Sequence, residues 1–545
     1  MANTVTFETY KTDVLIIGAG GAGLRAALEA DRAGVSVTIV SRAPVGRGGL
    51  TATANGGYHA AAWPGDSPEI HAEDMIEAGE YLNDRNLVKV LAEEAPVRAK
   101  ELESFGIAVD WNIPPTPAEP EMRFPRSLFI PGKEMLLVMG KTLAKQSNVK
   151  ILEDYLLMRL LKNDGGVTGA VFYNIRTGGI ALVSAGATIL ASGSYGEIYP
   201  KAAQEPLGVR TGSTGIGQLA AAEAGADLAD MEMVQIVPVP VDPVTILSMR
   251  CLPWSPMVNA GGETFLPKGR GPYSFHVAHA IRKEYDEGRG PVYMDCTDQK
   301  PPSGPGRHMV AAYRGKYLGE IGATPYKRRV QVGLGALFAM GGIHINERCE
   351  TGVPGLFAAG EVSGGVHGGR RVSGSALPEI IVFGARAGQF AAEYSKKGKA
   401  IPDAGPEQAG EERALINSLA GKKGGREPQK IRDSVKELMG NFAFIERDGK
   451  GLGKALEELD RLEAECGELS SGDALPYNLN LVAALDVRSM VRIGKVVCMA
   501  GLLREESRGF HYRSDFPKAK ETVEHTAVRI QKGALSAETK PVRMN

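Results

Sequence analysis

The hydrophobic pattern of the N-terminal segment reads as one strand–helix–strand unit over residues 13–41. Asp13-Val-Leu-Ile-Ile-Gly18 is a short apolar run of strand length, Leu24 to Ala33 is built of helix formers, and Val35-Ser-Val-Thr-Ile-Val40 is a second β-rich run. Residues 42–62 are aperiodic and rich in Gly, Ala and Thr, which predicts a loop lying against something flat. Helical patterns follow around 68–104 and 133–147, and β-rich runs at 167–173 and 187–191 resume the sheet. From about 240 to 335 prolines accumulate and the strand–helix alternation stops, so this stretch reads as an inserted domain. The strand Gly355–Ala359 and the helix Glu379–Lys396 return to the earlier pattern, and 397–411 is a polar break. Beyond it, Leu452, Leu456, Leu459, Leu462 and Cys466 recur at spacings of three and four, one face of a helix, and Leu479–Leu503 is a long proline-free helical stretch. The tail after about 525 has no core pattern. The predicted organisation is a discontinuous α/β domain (1–240 and 336–400), an insert (241–335), a helical C-terminal domain (411–525) and a tail (526–545).

Composition narrows the functional classes. Sixty-three basic against 64 acidic residues leave a net charge of −1 over 545 residues, without the basic excess of a nucleic-acid or membrane-surface protein. Glycine is the outlier, at 69 residues or about 13%, against roughly 7% in ordinary proteins. Glycines in such number, without a repeat, point to close approaches of backbone to a ligand, and cofactor phosphates are the commonest reason for those. The five cysteines (Cys251, Cys296, Cys349, Cys466, Cys498) form no Cys-x-x-Cys pair, so no zinc, iron–sulfur or haem attachment pattern is expected. Their odd, scattered count fits a reducing compartment, and neither a cleavable leader nor an 18-residue apolar span is evident. A cytoplasmic protein with no membrane span is expected.

The chemistry begins at Gly18-Ala19-Gly20-Gly21-Ala22-Gly23, which follows the first strand and opens the first helix. In such a fingerprint the first glycine permits the sharp turn and the second lets a pyrophosphate touch the backbone. The third lets helix pack on strand, and the helix N-terminus faces the anion. Strand, helix, second strand and spacing agree, so the expectation is dinucleotide binding. The second strand ends at Ser41 rather than at an acidic ribose ligand, so the adenosine half is held differently. Two later strands that end in small residues, Ala187-Thr-Ile-Leu-Ala191-Ser-Gly193 and Gly355-Leu-Phe-Ala-Ala-Gly360-Glu361, resemble segments of FAD-binding oxidoreductases. Their order after the fingerprint favours FAD over NAD.

With these segments in place, nearly the whole chain resembles the flavoprotein subunits of fumarate reductase and succinate dehydrogenase, with L-aspartate oxidase and adenylylsulfate reductase as relatives. The resemblance is carried by the fingerprint, Asn55-Gly56-Gly57, Asp230-Met-Glu-Met-Val-Gln235, Met340-Gly-Gly342, His367-Gly-Gly-Arg-Arg-Val-Ser-Gly-Ser-Ala-Leu377, Val382-Phe-Gly384 and Glu506–Pro517. It implies an α/β fold with a Rossmann-like FAD-binding domain, an inserted α+β capping domain and a helical C-terminal domain. It also implies cofactor contacts from Gly49, Asn55, Gly56, Gly57, Ala191, Gly193, Gly360, Ser375 and Leu377, with Glu361 on the flavin's sugar-alcohol chain. His511 and Arg513 of the last motif read as a hydrogen-bonded clamp between domains.

The chain also departs from the family. Leu50, in Gly48-Gly49-Leu50-Thr51, stands where covalent members carry the attachment histidine, so FAD is expected to be noncovalent. The family's two substrate histidines correspond to Val237 and Leu337, and its proton-shuttling arginine to Ser274. The arginine of the His-Gly-x-x-Arg segment remains, as Arg371, which therefore has the best claim to bind substrate. His367 is either a donor to substrate or flavin, or a structural histidine in a Gly-rich turn. Arg250, Arg270, His276 and His279 are the candidate replacement donors from the capping region, and Trp254 reads as core or as a substrate-facing ring.

The first expectation is thus an FAD oxidoreductase that transfers a hydride at flavin N5 to or from an acid or thioester with one anionic end. Efficient turnover of fumarate or succinate is not expected. An electron-transfer subunit with no small substrate of its own, and an adenylylsulfate reductase-like enzyme, are the alternatives. Each leading reading needs a partner to receive single electrons, and an iron–sulfur subunit is the family's solution.

Overall fold

The structure is a computed structural model, describing residues 5–54, 57–111, 122–124, 126–201, 212–241, 256–266, 275–298, 328–398, 400–422, 424–531 and 533–542. Asn55, Gly56, Arg250, Cys251, Trp254, Arg270 and Ser274 lie outside the described residues.

The first unit folds as its pattern predicts. Strand β1 (Phe7–Ile17) leads into helix α1 (Gly21–Arg32), and strand β2 (Val37–Ser41) returns parallel to β1, with Val14 opposite Val37. On its other side β1 pairs in parallel with Ile180–Leu190, whose apolar residues are buried on both faces, as a central parallel strand requires. The seven-stranded sheet runs Val149–Glu153, β2, β1, Ile180–Leu190, Gly166–Asn174, Tyr155–Asn163, and Leu356–Ala358 joins the end of Ile180–Leu190. Two segments distant in sequence, the fingerprint turn and the Ala191–Gly193 turn, thereby end side by side.

Two further sheets flank this one. Val234–Pro240 and Arg329–Ala339 form an antiparallel pair extended by Val292–Asp295 and Met257–Val258. The third sheet runs Ser363–Gly364, Gly342–His344, Leu228–Ala229, Glu524–Gln531, Ala534–Pro541. The stretch after about 525 is therefore a hairpin, not a patternless tail. Glu524–Gln531 is enclosed between two strands, while Ala534–Pro541 is a mostly exposed edge, so neither shows the simple alternation of a half-buried strand. The C-terminal helices are Gly410–Gly421, Pro428–Phe442, Gly449–Glu465 and Leu479–Leu503. Among the described residues no helix is long and apolar enough to cross a membrane.

The Asp230–Gln235 motif ties these parts together. Buried Arg504 donates to Asp230 at 2.9 Å, to Glu232 at 2.5 Å and to Glu506 at 2.9 Å. His525 meets the other Asp230 oxygen at 2.5 Å, and Thr526 donates to Glu232. Burial alone would raise the Asp230 carboxyl, but His525 and Arg504 outweigh it and hold it below its ordinary value. Burial likewise opposes the His525 cation, and Asp230 reverses that, leaving the imidazole above its ordinary value. The Asp230 contribution to stability is therefore complete at neutral pH and is lost as pH falls through its depressed value; that of His525 is lost as pH rises through its raised one.

His511 and Arg513 occupy the neighbouring clamp. Arg447 donates to His511 Nδ1 at 2.7 Å and to the Glu232 carbonyl at 2.8 Å, while Arg513 reaches the carbonyl of Gly501 at 2.9 Å. Burial, with Arg447 and Arg504 beside it, pushes the His511 imidazole well below its ordinary value, so it stays neutral and accepts from Arg447. Replacing Arg504 by methionine removes the cation shared by three buried carboxylates, which keep only His525, Thr526 and Arg508 as side-chain partners, and a loss of about 3–5 kcal/mol is expected. Urea unfolding checks this; a midpoint equal to that of the parent chain would refute it.

Candidate functional site

The fingerprint turn is shaped by backbone packing. Gly18 sits at φ +111°, and a Cβ there would stand 2.3 Å from the Ala191 carbonyl oxygen. A Cβ on Gly23 would lie 1.9 Å from the Gly18 carbonyl, so strand and helix touch through these two positions. Gly20 is different. It has an ordinary extended backbone (φ −74°, ψ −175°), and a Cβ there meets nothing within 4 Å. The turn is closed behind Gly18 and Gly23 and open in front of Gly20, where a pyrophosphate must approach.

Other expected cofactor positions converge on this opening. Gly49 comes within 3.9 Å of the Gly20 Cα, measured from its would-be Cβ, and the same construction places Gly360 2.9 Å from the Ala22 methyl. Gly193 faces open space, as Gly20 does. Gly57 packs 3.5 Å from Gly374, two residues before the helix Ala376–Lys397 that carries Leu377 in its first turn. Ser41, at the end of β2, turns its hydroxyl inward to the Ala43 carbonyl at 2.7 Å.

Polar side chains complete the cradle. Ser192 Oγ, Thr214 Oγ1, Gln218 Oε1 and Ser375 Oγ are buried without a hydrogen-bond partner. Gln218 holds the Gly193 carbonyl at 3.1 Å, and Ser192 Oγ abuts Gly217, so two of the four lie at the Ala191–Gly193 turn. Buried oxygens left unpaired are costly, and a ligand rich in phosphate and hydroxyl groups satisfies them. Thr51 accepts from the Gly21 N–H at 3.2 Å at the start of α1. These donors and acceptors, with the open face of Gly20, fit FAD. Single polar residues at irregular spacing carry no sequence signal of their own, so Thr214 and Gln218 emerge only in the fold.

A cleft of about 340 Å³, part of it open to solvent, adjoins the cradle, lined in part by Leu50, Ser194, Tyr195, Leu337, Phe338 and Glu361. Glu361 accepts from the Ala339 N–H at 3.0 Å. Desolvation raises its carboxyl to about 8, only partly offset by that bond and by the Ser194 hydroxyl, so it holds its proton at neutral pH. Leu337 and Val237 are both buried in one apolar cluster with Leu82, Met233, Phe338 and Phe510. The two positions that bear histidines in the resemblance thus form hydrocarbon wall.

Arg371 is buried behind that wall, its guanidinium carbon 4.7 Å from the centre of the Phe338 ring. It does not itself line the cleft. His367 is buried with Nε2 3.1 Å from Glu379 Oε2. His276 is exposed on the first turn of the helix Phe275–Asp286 and does not line the cleft, and His279 of the same helix packs against Phe275 and Tyr512. Among the described residues no group of three or more His, Cys, Asp or Glu is placed to hold a metal ion.

Residues 13–377 match the model of an FAD binding domain, and residues 432–545 match that of the fumarate reductase flavoprotein C-terminal region. The chain belongs to the fumarate reductase flavoprotein family. It is accordingly an FAD-dependent oxidoreductase of the fumarate reductase and succinate dehydrogenase group. It is 34% identical to an uncharacterized FAD-dependent oxidoreductase of Methanocaldococcus jannaschii, over 94% of this chain and 95% of that one. It is 33% identical to a fumarate reductase (CoM/CoB) subunit of Methanothermobacter marburgensis, over 94% and 96%. Among solved structures, the Escherichia coli quinol fumarate reductase chain superimposes with a TM-score of 0.86 at 25% identity, covering 99% of this chain and 98% of that one. Adenylylsulfate reductase of Archaeoglobus fulgidus shares the fold, with a TM-score of 0.79 at 19% identity, covering 99% and 98%.

Within this family Leu50 has a direct consequence. It lines the cleft and offers no nucleophilic atom for a bond to flavin. Acid precipitation is expected to release the yellow cofactor into the supernatant; flavin that stays with the pellet would contradict this.

Proposed function

We propose that this chain is the flavoprotein subunit of an oxidoreductase acting on an acid or thioester with a single anionic end, and that it exchanges electrons with an iron–sulfur partner. The observation that carries the reading is the cleft wall: Leu50, Leu337 and Phe338 line it, with Val237 packed behind, and Arg371 is the cation next to it. FAD, when bound, supplies a hydride acceptor or donor at its N5 atom. The fingerprint backbone around Gly20 holds its pyrophosphate, and Ser192, Thr214 and Gln218 supply polar contacts beside it. Glu361, protonated at neutral pH, donates from its carboxyl to the cofactor's sugar-alcohol chain. Arg371 takes the anionic end of the substrate through its guanidinium fork, the geometry suited to a carboxylate. The apolar wall excludes water from the remainder of the chain and accepts hydrocarbon where dicarboxylate enzymes present imidazole.

The names of the relatives support an acid substrate and a partner protein. One is called a subunit of a fumarate reductase, an enzyme acting on an unsaturated acid, and the word subunit supports a partner protein. The test is anaerobic mixing of the purified, FAD-loaded chain with short monocarboxylates and their thioesters in saturated and unsaturated forms. Saturated compounds are expected to bleach the flavin, or unsaturated ones to reoxidise it after dye reduction. If none does either, the reading fails and a subunit that only relays electrons takes its place.

A further inference from the structure

Phe338 follows Leu337 on the strand Arg329–Ala339 and lines the cleft. Its ring is held from two sides. The Arg371 guanidinium stands 4.7 Å from the ring centre, and the His367 ring meets it edge-on, with centroids 5.2 Å apart and planes at 81°. His367 is fixed in turn by Glu379, in the first turn of the helix Ala376–Lys397. Phe338, His367, Glu379 and Arg371 are all 7% exposed or less. Glu379 thus supports His367, His367 the ring, and the ring Arg371.

We propose that Phe338 is the positioning residue for Arg371, and that its aromatic face sets how tightly this site binds a single carboxylate. The proposal rests on the reading of Arg371 as the ligand for the substrate's anionic end. A guanidinium has two faces and an edge, and its hydrogen-bond donors all lie in the edge. The contact with the aromatic ring restrains the side chain's swing without using a donor, because the attraction is to the ring's quadrupole. Arg371 Nη1 also donates to the Val372 carbonyl at 3.2 Å, which fixes the rotation of the fork about its stem. The constraint matters more here than in a site with several donors. Leu337 and Val237 contribute none, so the orientation of a bound carboxylate leans on this fork. A leucine at 338 keeps the wall apolar but has no π face; a tyrosine keeps the face.

Two measurements on the FAD-loaded chain test this. In the first, crotonate is titrated while the flavin absorbance is followed. Phe338→Leu is expected to weaken crotonate binding by about tenfold, the scale of a desolvated cation–π contact, whereas Phe338→Tyr stays within about threefold of the parent. In the second, Arg371 is modified with phenylglyoxal and the rate is read by peptide mass. Modification is expected to be several-fold faster in Phe338→Leu and unchanged in Phe338→Tyr. His367→Leu, which removes the edge contact and keeps Phe338, is expected to shift both readouts in the same direction by less, and it carries the test if Phe338→Leu does not fold. If the parent chain does not bind crotonate, the reading of Arg371 as an anion ligand fails, while the modification rates still judge the contact. Equal rates and equal affinities in parent and Phe338→Leu would overturn the inference.

Discussion

Replacing Gly20 by valine is expected to give a folded chain that no longer retains FAD. The fingerprint glycines are often treated as equivalent, but here they differ in kind. A side chain on Gly23 collides with the Gly18 carbonyl at 1.9 Å, so its substitution damages the strand–helix packing itself. Gly20 has an extended backbone that any residue adopts, and nothing lies within 4 Å of its would-be Cβ. The Cβ of valine there meets no protein atom within 4 Å, and its branched side chain enters the space through which pyrophosphate reaches the backbone. Gly20→Val should therefore melt as a cooperative protein with essentially no bound flavin, whereas Gly23→Val should be recovered poorly or unfolded. Flavin content per chain after gel filtration, with circular dichroism as the folding control, reads both. Full flavin content in folded Gly20→Val would show that the fingerprint is only a structural turn.

Fumarate and succinate should be poor substrates. A dicarboxylate in this cleft has Arg371 only beside its wall, and meets Leu337, with Val237 packed behind it, where two hydrogen-bond donors are needed. Each missing charge-assisted bond is worth roughly 1.5–3 kcal/mol, so two together weaken binding by about two to four decades. With Ser274 in place of a proton-shuttling arginine, about two to four decades of rate are lost as well, the usual scale of general acid–base catalysis. Fumarate reduction with a reduced viologen dye, and succinate oxidation with an artificial acceptor, measure this directly. Turnover above about 10 per second, the median for enzymes, would place the chain functionally with the relatives named fumarate reductase. Lower turnover, together with reaction of a monocarboxylate or thioester, would separate it from them.

The parts of this molecule that could be read in advance are those whose physics leaves a local mark. Gly18 and Gly23 are legible because no other residue type solves their contacts at that spacing, Gly20 because it completes the fingerprint, and Leu479–Leu503 because it is long and unbroken. The cap sheet was not legible. Met257–Val258 and Val292–Asp295 are too short to show a period, and they become strands by pairing with partners distant in sequence. The hairpin Glu524–Pro541 escaped for a related reason: its inner strand is buried by neighbours almost 300 residues away, and its outer strand faces solvent. Phe338 was hidden in plain view, one more apolar residue in an apolar strand until Arg371 and His367 are seen against its ring.

That hairpin also bears on how the protein comes into being. Val528 and Ala527 pair with Leu228 and Ala229, and His525 closes on Asp230. While a ribosome is still making residues 300–500, the short strand at 228–229 has an open edge, and the Asp230 carboxylate lacks both its arginine and its imidazole. Once Ser375 and Leu377 have emerged, a nascent chain carries the FAD cradle while the segments that lock its neighbouring sheet are still to come. Completion of this sheet thus waits for a segment made almost 300 residues after Leu228. A ribosome stalled before Glu524 should expose the Leu228–Ala229 edge to protease or to a chaperone that reads unpaired strands.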